Sequence, residues 1–150
     1  MAYHAGIETE WAELLNGTGE LGAWNRDRLN EDIVNHLLPG GAVFAAEANA
    51  IVACAAACRI TCNEPYGTLM YVGVNPQHRN RGLGRAVTYG AMLACYKAGC
   101  PGMVLSTDEF RIPAIRTYFS LGFEPFLAST GTDAQRWKQI RESVMSKSQA

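Results

Sequence analysis

The residues best suited to chemistry lie in one short run, Asn75-Pro76-Gln77-His78-Arg79-Asn80-Arg81-Gly82-Leu83-Gly84-Arg85. The run joins a predicted strand ending at Val74 to a predicted helix starting at Leu83. The first amides of a helix have no partner inside it, and they sit at the positive end of the helix dipole, so a phosphate fits there. Gly82 and Gly84 carry no Cβ, which lets the backbone approach an anion closely and take positive φ where a turn needs it. Arg79, Arg81 and Arg85 add local positive charge to a chain whose formal net charge is −1. The run lacks the GxGxxG pattern of dinucleotide sites and the Gly-Lys-Ser/Thr of a phosphate loop. Taken alone, it fits a phosphate site and a glycine-containing turn with a solvated basic face equally well.

The five cysteines, Cys54, Cys58, Cys62, Cys95 and Cys100, are the other group able to do chemistry. The spacing of the first three places them on one face of a helix or a strand. None of the cysteines or histidines (His4, His36, His78) shows a CxxC or HxxxH spacing, so no metal site is expected and the thiols read as small buried side chains. An odd count favours reduced cysteines.

The elements that must position these residues follow from periodicity and punctuation. Ile7 to Asn16 reads as a helix through Trp11, Leu14 and Leu15, stopped by Gly17-Thr18-Gly19. Arg26 to Leu38 reads as a second helix, with Leu29, Ile33, Val34, Leu37 and Leu38 on one face and Pro39-Gly40-Gly41 as its stop. Strands are predicted at Ala42 to Glu47, Ile51 to Thr61 and Thr68 to Val74. The middle one contradicts the helix propensity of its alanines and rests on strand-like neighbours. Leu83 to Ala98 repeats apolar residues at i, i+3 and i+4 and stops at Gly99. A short strand follows at Met103 to Thr107, then a helix from about Pro113 to Leu121, a strand at Phe123 to Ala128 and a last helix at Asp133 to Met145.

With 150 residues, 48% hydrophobic and 18% charged, the chain reads as one globular domain over 1–150. The near-zero net charge argues against a nucleic-acid partner. No apolar run approaches the ~20 residues that span a bilayer, so no membrane is expected. The first residues lack a signal-peptide pattern, and a cytoplasmic location is expected. Helices followed by strands, with strand and helix alternating later, predict an α/β chain of the α+β type with a mixed sheet and helices on both faces.

Two motifs together narrow the anion. Arg79-x-x-Gly82-x-Gly84, after Val72-Gly73-Val74-x-Pro76, resembles the acetyl-CoA signature Gln/Arg-x-x-Gly-x-Gly/Ala of the GNAT acetyltransferase superfamily. Downstream, Ala114-Ile115-Arg116-Thr117-Tyr118-Phe119-Ser120-Leu121-Gly122-Phe123 resembles that superfamily's Asn-x-x-Ala-x-x-x-Tyr-x-x-x-Gly-Phe. The resemblance covers roughly residues 42–126 and implies a GNAT-like fold, with a central, mostly antiparallel sheet and helices on both faces. It implies an acetyl-CoA-dependent N-acetyltransferase, in which a primary amine of a small molecule or peptide attacks the thioester directly in a ternary complex.

The same resemblance implies roles for single residues. Pantetheine would run along Tyr71 to Val74, held by backbone groups of Val72 and Val74, one amide there polarising the thioester carbonyl. The pyrophosphate would meet the amides of Arg79, Asn80, Arg81, Gly82, Leu83, Gly84 and Arg85. Tyr118 would protonate the departing CoA thiolate, a task a phenol can perform. The base that takes the amine's proton is open between Glu47, Glu64, Asp108 and water. Trp24, Asn25, Asp27, Glu31 and Tyr66 lie in segments that line the acceptor side in relatives, and their aromatic and acidic types suit a cationic amine.

Two departures stand out. Arg111 occupies the place of the later motif's asparagine, free to meet a CoA phosphate or to face solvent. Only one strand is predicted after Gly122, where the family has two, and a partner subunit, as in a homodimer, is the candidate to complete the acceptor pocket. These departures motivate the rival expectation of a non-catalytic acyl-CoA-binding or regulatory module on the same fold.

Overall fold

Trp11, Ala12, Leu14 and Leu15 bury one side of helix α1 (Glu8–Gly17), as their spacing predicts. In the computed structural model, which describes residues 1–127 and 131–146, the chain forms two compact units, Met1–Leu105 and Ser106–Ala150.

The first unit holds a sheet in the order β1-β2-β3-β4. Strands β1 (Leu37–Glu47), β2 (Ala50–Cys58) and β3 (Gly67–Val74) run antiparallel to their neighbours, and β4 (Met103–Val104) lies parallel to β3. The expected mixed, mostly antiparallel sheet is thus present. Helices cover it on both sides because strand residues alternate between faces. Phe44 meets Trp11 of α1 edge-on, with ring centroids 4.9 Å apart, and shares that core with Leu15, Cys54, Ala56 and Cys58. Val43, one residue away, faces helix α3 (Leu83–Lys97) on the other side.

Strand β2 is buried on both faces, with Ala53 through Cys58 fully inaccessible. This double burial explains its alanines. Small side chains let α1 and α3 pack closely on the two sides, and tertiary packing overrides the helix propensity of the sequence. Cys54 and Cys58 fill this core, and burial pushes both thiols up to about 12. Cys62 is exposed beyond the strand end, so the expected run of three cysteines on one face stops at two.

The second predicted helix is shorter than its periodicity implies. Asn25 caps α2 (Arg26–Asp32) by accepting the Arg28 N–H at 2.8 Å, but the helix stops at Asp32 and a 3-10 turn follows at Val34–His36. Leu37 and Leu38 belong to β1 instead, where Leu37 pairs with Cys58. Pro39, Gly40 and Gly41 form an irregularity inside that strand, and a Cβ on Gly41 would collide with the Ala57 carbonyl. A stripe of leucines continuing from a helix into a strand looks helical throughout, which is why the boundary was misplaced.

In the second unit, α4 (Ile112–Ser120) and α5 (Gly131–Ser146) are joined by Arg116, which donates to the Val144 carbonyl at 2.9 Å, and by the Phe119 and Trp137 rings. The strand predicted at Met103 to Thr107 ends at Val104. Residues 123–127 form no strand, contrary to expectation, and Ala128 lies outside the described residues. Pro125 supplies no N–H to a ladder, and Phe126 and Leu127 are exposed. No helix among the described residues is long and apolar enough to cross a membrane.

The closeness of α3 to the sheet yields a test. A Cβ on Gly90 would stand 2.7 Å from Val43 Cγ1. Gly90→Ala gains up to ~1 kcal/mol of helix propensity but overpacks against a stiff β-branched side chain, at a cost of about 1–3 kcal/mol. The variant should melt several degrees lower, and adding Val43→Ala should recover most of the loss. A Gly90→Ala protein as stable as its parent would refute this packing.

Candidate functional site

The run expected to hold an anion forms a turn between β3 and α3. Asn75 Oδ1 accepts the Gln77 N–H at 3.0 Å and starts a 3-10 turn over Pro76–His78. Asn80 and Gly82 then take left-handed conformations, with φ of 61° and 77°. Asparagine tolerates this better than most residues, and glycine does so without cost. Gly82 caps α3, and the first intrahelical bond runs from the Ala86 N–H to the Gly82 carbonyl at 3.0 Å. The amides of Leu83, Gly84 and Arg85 therefore have no partner within the helix and stand at its positive end. A Cβ on Gly84 would lie 3.5 Å from Val74 Cγ2, an ordinary contact, so the helix start is seated against the end of β3 with room for an alanine.

The arginines contribute less free charge than their number suggests. Arg79 turns back to the end of α1, donating to the Thr18 carbonyl at 3.1 Å and pairing with Glu20 at 3.6 Å. Arg81 pairs with Glu47 at 2.9 Å, and His78 Nε2 sits 2.6 Å from the same carboxylate. Glu47 reaches them because a two-residue turn, Ala48-Asn49, both at positive φ, ends the β1–β2 hairpin beside the loop. Arg81 and His78 hold the Glu47 carboxyl down at about 2. A group so firmly ionised is a poor base near neutral pH, so Glu47 leaves the set of base candidates and becomes a strut of the loop. Arg85 is exposed.

Beside the turn lies an open strand edge. Pairing of β3 with β4 covers only Gly67 with Met103 and Thr68 with Val104. Beyond Thr68 no strand among the described residues pairs with that edge of β3. The other edge is bulged: Ala56 pairs with Met70 and Cys54 with Gly73, so Tyr71 and Val72 together oppose Ala55. Tyr71 takes φ of 47°, which is unusual for a bulky residue inside a strand. Val72 lies in this distortion and Val74 just beyond it, each half-buried. An interrupted ladder leaves backbone groups available to a ligand.

Tyr118 lies on α4 in the second unit, half-buried, its ring edge-on to Phe123 with centroids 5.9 Å apart. Burial raises its phenol above the ordinary 10.0, against a smaller opposing pull from Arg111. The phenol is therefore protonated at neutral pH and able to donate. Arg111 pairs with Asp108 at 3.3 Å, three residues before it, which occupies both side chains. Glu64 is exposed and lines a shallow cavity of about 450 Å³ with His36, Leu38 and Arg59, around the β2 end that lies away from the anion turn. Of the residues expected on the acceptor side, Trp24 is buried against Tyr71, Asn25 is a helix cap, and Asp27 and Glu31 are exposed. Tyr66 lies at the start of β3, the far end from the turn. Among the described residues no group of three or more His, Cys, Asp or Glu side chains is placed to hold a metal ion.

Sequence reasoning missed Tyr71 as a distorted residue and Asn16 as the side chain that holds Trp24. Neither has a local signal, since both depend on partners distant in sequence.

Residues 8–123 match the family model described as the acetyltransferase (GNAT) family. A mycothiol acetyltransferase of Thermobifida fusca is 40% identical over 65 residues, which are 43% of this chain and 20% of that protein. The chain thus spans about a fifth of that relative's length. Among solved structures, the ribosomal-protein-S18-alanine N-acetyltransferase of Escherichia coli superposes with a TM-score of 0.68 at 17% identity, covering 85% of this chain and 77% of the other. The structure of AAC(6')-Iy in complex with the bisubstrate analog CoA-S-monomethyl-acetylneamine gives 0.69 at 18% identity, covering 87% and 92%. The expected fold is shared with these structures.

The Glu47 clamp predicts a titration. By NMR, the Glu47 carboxyl should titrate near 2 instead of its ordinary 4.5, and Arg81→Ala should move it upward. A folded-state value below the unfolded one stabilises above the unfolded value, and the contribution fades as pH falls from 4.5 through about 2. A carboxyl that titrates at its ordinary value in the folded protein would mean that the clamp does not form.

Proposed function

The chain belongs to the GNAT acetyltransferase family, and from that premise we propose that it moves an acetyl group from acetyl-CoA to a primary amine. The observation that carries this reading is the pairing of two backbone features in the first unit. Unpaired amides at the start of α3 suit a pyrophosphate, and the open edge of β3 beside them, on a strand bulged along its β2 side, suits an amide-bearing chain such as pantetheine. The family match also runs across both units, in keeping with residues 1–150 acting as one acetyltransferase domain.

In this reading Val72 and Val74 hold pantetheine by backbone hydrogen bonds. The amides of Leu83, Gly84 and Arg85 hold the pyrophosphate, with Asn80 and Gly82 shaping the turn. Arg79 and Arg81 serve mainly through backbone groups and as braces. The amine nitrogen attacks the thioester carbon, negative charge gathers on the carbonyl oxygen, and an amide of the bulge stabilises it. Tyr118 then passes its proton to the sulfur as the carbon–sulfur bond breaks. With Glu47 and Asp108 both ion-paired, water is the favoured first acceptor of the amine's proton.

The rival reading, a non-catalytic acyl-CoA-binding module, is favoured by the committed base candidates and by residues 123–127 forming no strand. An assay of thiol release from acetyl-CoA over a panel of amines separates the two. The panel would span an aminoglycoside, a diamino acid, a peptide with N-terminal alanine and an amino sugar. Release that depends on an amine supports the transferase; binding without release under every amine supports the module.

Two variants test the parts. Gly82→Glu places a carboxylate at the anion turn on a residue with positive φ, and it should abolish acetyl-CoA binding measured by calorimetry; unchanged affinity would sink the site. Tyr118→Phe should lower kcat by about 10²-fold, in the range of a lost general acid, with acetyl-CoA affinity nearly intact. Full turnover would remove Tyr118 from the mechanism.

A further inference from the structure

Tyr71 is the one residue inside β3 with positive φ, at 47°. A Cβ makes such a conformation costly, and residues of this kind persist where their surroundings over-determine them. Three contacts do so here. The Trp24 ring stands edge-on to the Tyr71 ring, with centroids 4.6 Å apart. The Cys54 thiol donates to the Tyr71 carbonyl at 3.6 Å. The register is fixed on either side of the bulge by Met70 with Ala56 and Gly73 with Cys54.

Trp24 is itself held from every side, although it lies in a connection between helices. Asn16, near the end of α1, donates from Nδ2 to the Trp24 carbonyl at 2.9 Å and accepts the Trp24 N–H on Oδ1 at 2.7 Å. The indole N–H donates to the Leu21 carbonyl at 2.8 Å. Arg28 lies over the indole at 4.2 Å from its centroid, and Trp24 is only 6% exposed. Four separate contacts on one loop residue exceed what covering the core requires, and the residue they fix is the one that presses on the bulge.

We propose that Asn16 and Trp24 form a clamp that holds the Tyr71 bulge in its left-handed shape, and so sets the direction of the Val72 amide toward the acyl carbonyl. Trp24 is thus a positioning residue that acts through Tyr71, and Asn16 acts through Trp24. The inference rests on the transferase reading above. The clamp governs the chemical step more than acetyl-CoA binding, because in that reading most contacts to the donor come from the Val74 backbone and the α3 amides, which lie outside the bulge. A shift of a catalytic group by about 1 Å is enough to cost on the order of 10²-fold in rate.

The test combines kinetics with a rescue. Trp24→Leu should lower kcat by about tenfold while acetyl-CoA affinity stays within about threefold. Adding Tyr71→Gly to Trp24→Leu should recover about fivefold in kcat, since glycine reaches positive φ with no Cβ to oppose it. A loss due only to general loosening would worsen with the second substitution. If Trp24→Leu does not fold, Asn16→Ala carries the test, because Asn16 is exposed and its removal leaves no cavity. It should lower kcat about threefold with unchanged acetyl-CoA affinity, and Tyr71→Gly should again restore turnover. Wild-type kcat in the folded variant, a parallel fall in affinity and turnover, or absence of rescue would each overturn the clamp. Absence of amine-dependent turnover in the wild type would instead bring down the transferase reading, and the clamp with it.

Discussion

Along β3 every backbone amide and carbonyl needs a partner, and past Thr68 only one edge of the strand has a neighbouring strand among the described residues. An exposed strand edge invites unwanted pairing, and proteins blunt such edges with bulges, charges or covering segments. Here the bulge at Tyr71 and Val72 twists the strand, and the early end of β4 at Val104 withholds the natural cover. The rest of the first unit serves to keep this edge in place. Strand β2 anchors it from one side, α1 and the loop holding Trp24 brace the bulge, and α3 starts at its end.

Small side chains set where α3 starts. Ala53, Ala55 and Ala57 give β2 a shallow surface on the α3 side, and Gly90 and Ala91 give the helix a shallow surface in return. The helix can therefore lie close to the sheet, and Gly84 rests against Val74 at the end of β3. Larger residues at these points would lift the helix and carry its unpaired amides away from the strand edge. The alanines that made β2 hard to read are the same ones that bring the two halves of the site together.

Much of this arrangement was legible in the sequence where the signal is local. Arg79-x-x-Gly82-x-Gly84 between a strand and an amphipathic helix marked the turn that joins β3 to α3. What stayed hidden depends on distant partners. Leu37 and Leu38 continue a helical stripe yet lie in β1, where Leu37 pairs with Cys58 of β2, a partner distant in sequence. Glu47 looked like a base because it is a carboxylate near the expected site, and only the hairpin turn reveals that Arg81 and His78 already occupy it. Tyr71 reads as an ordinary strand aromatic, since backbone sign cannot be inferred for a residue that normally avoids it.

In the proposed reading, the ion pairs also bear on how the turn discriminates among anions. Half-exposed ion pairs on a surface add little stability, yet they fix where a charged side chain points. Arg79 is drawn to Glu20 and Arg81 to Glu47, which leaves Arg85, exposed in the first turn of α3, as the remaining arginine of the run. In that reading, the directed part of the attraction comes from amides whose directions are set by the helix and by two left-handed residues, Asn80 and Gly82. Directed amides reward an anion whose oxygens fit their geometry, whereas mobile cations reward any anion of sufficient charge. A turn braced in this way, in the proposed reading, favours a ligand that offers both a fitted pyrophosphate and a chain able to follow β3, and it penalises ligands that offer charge alone.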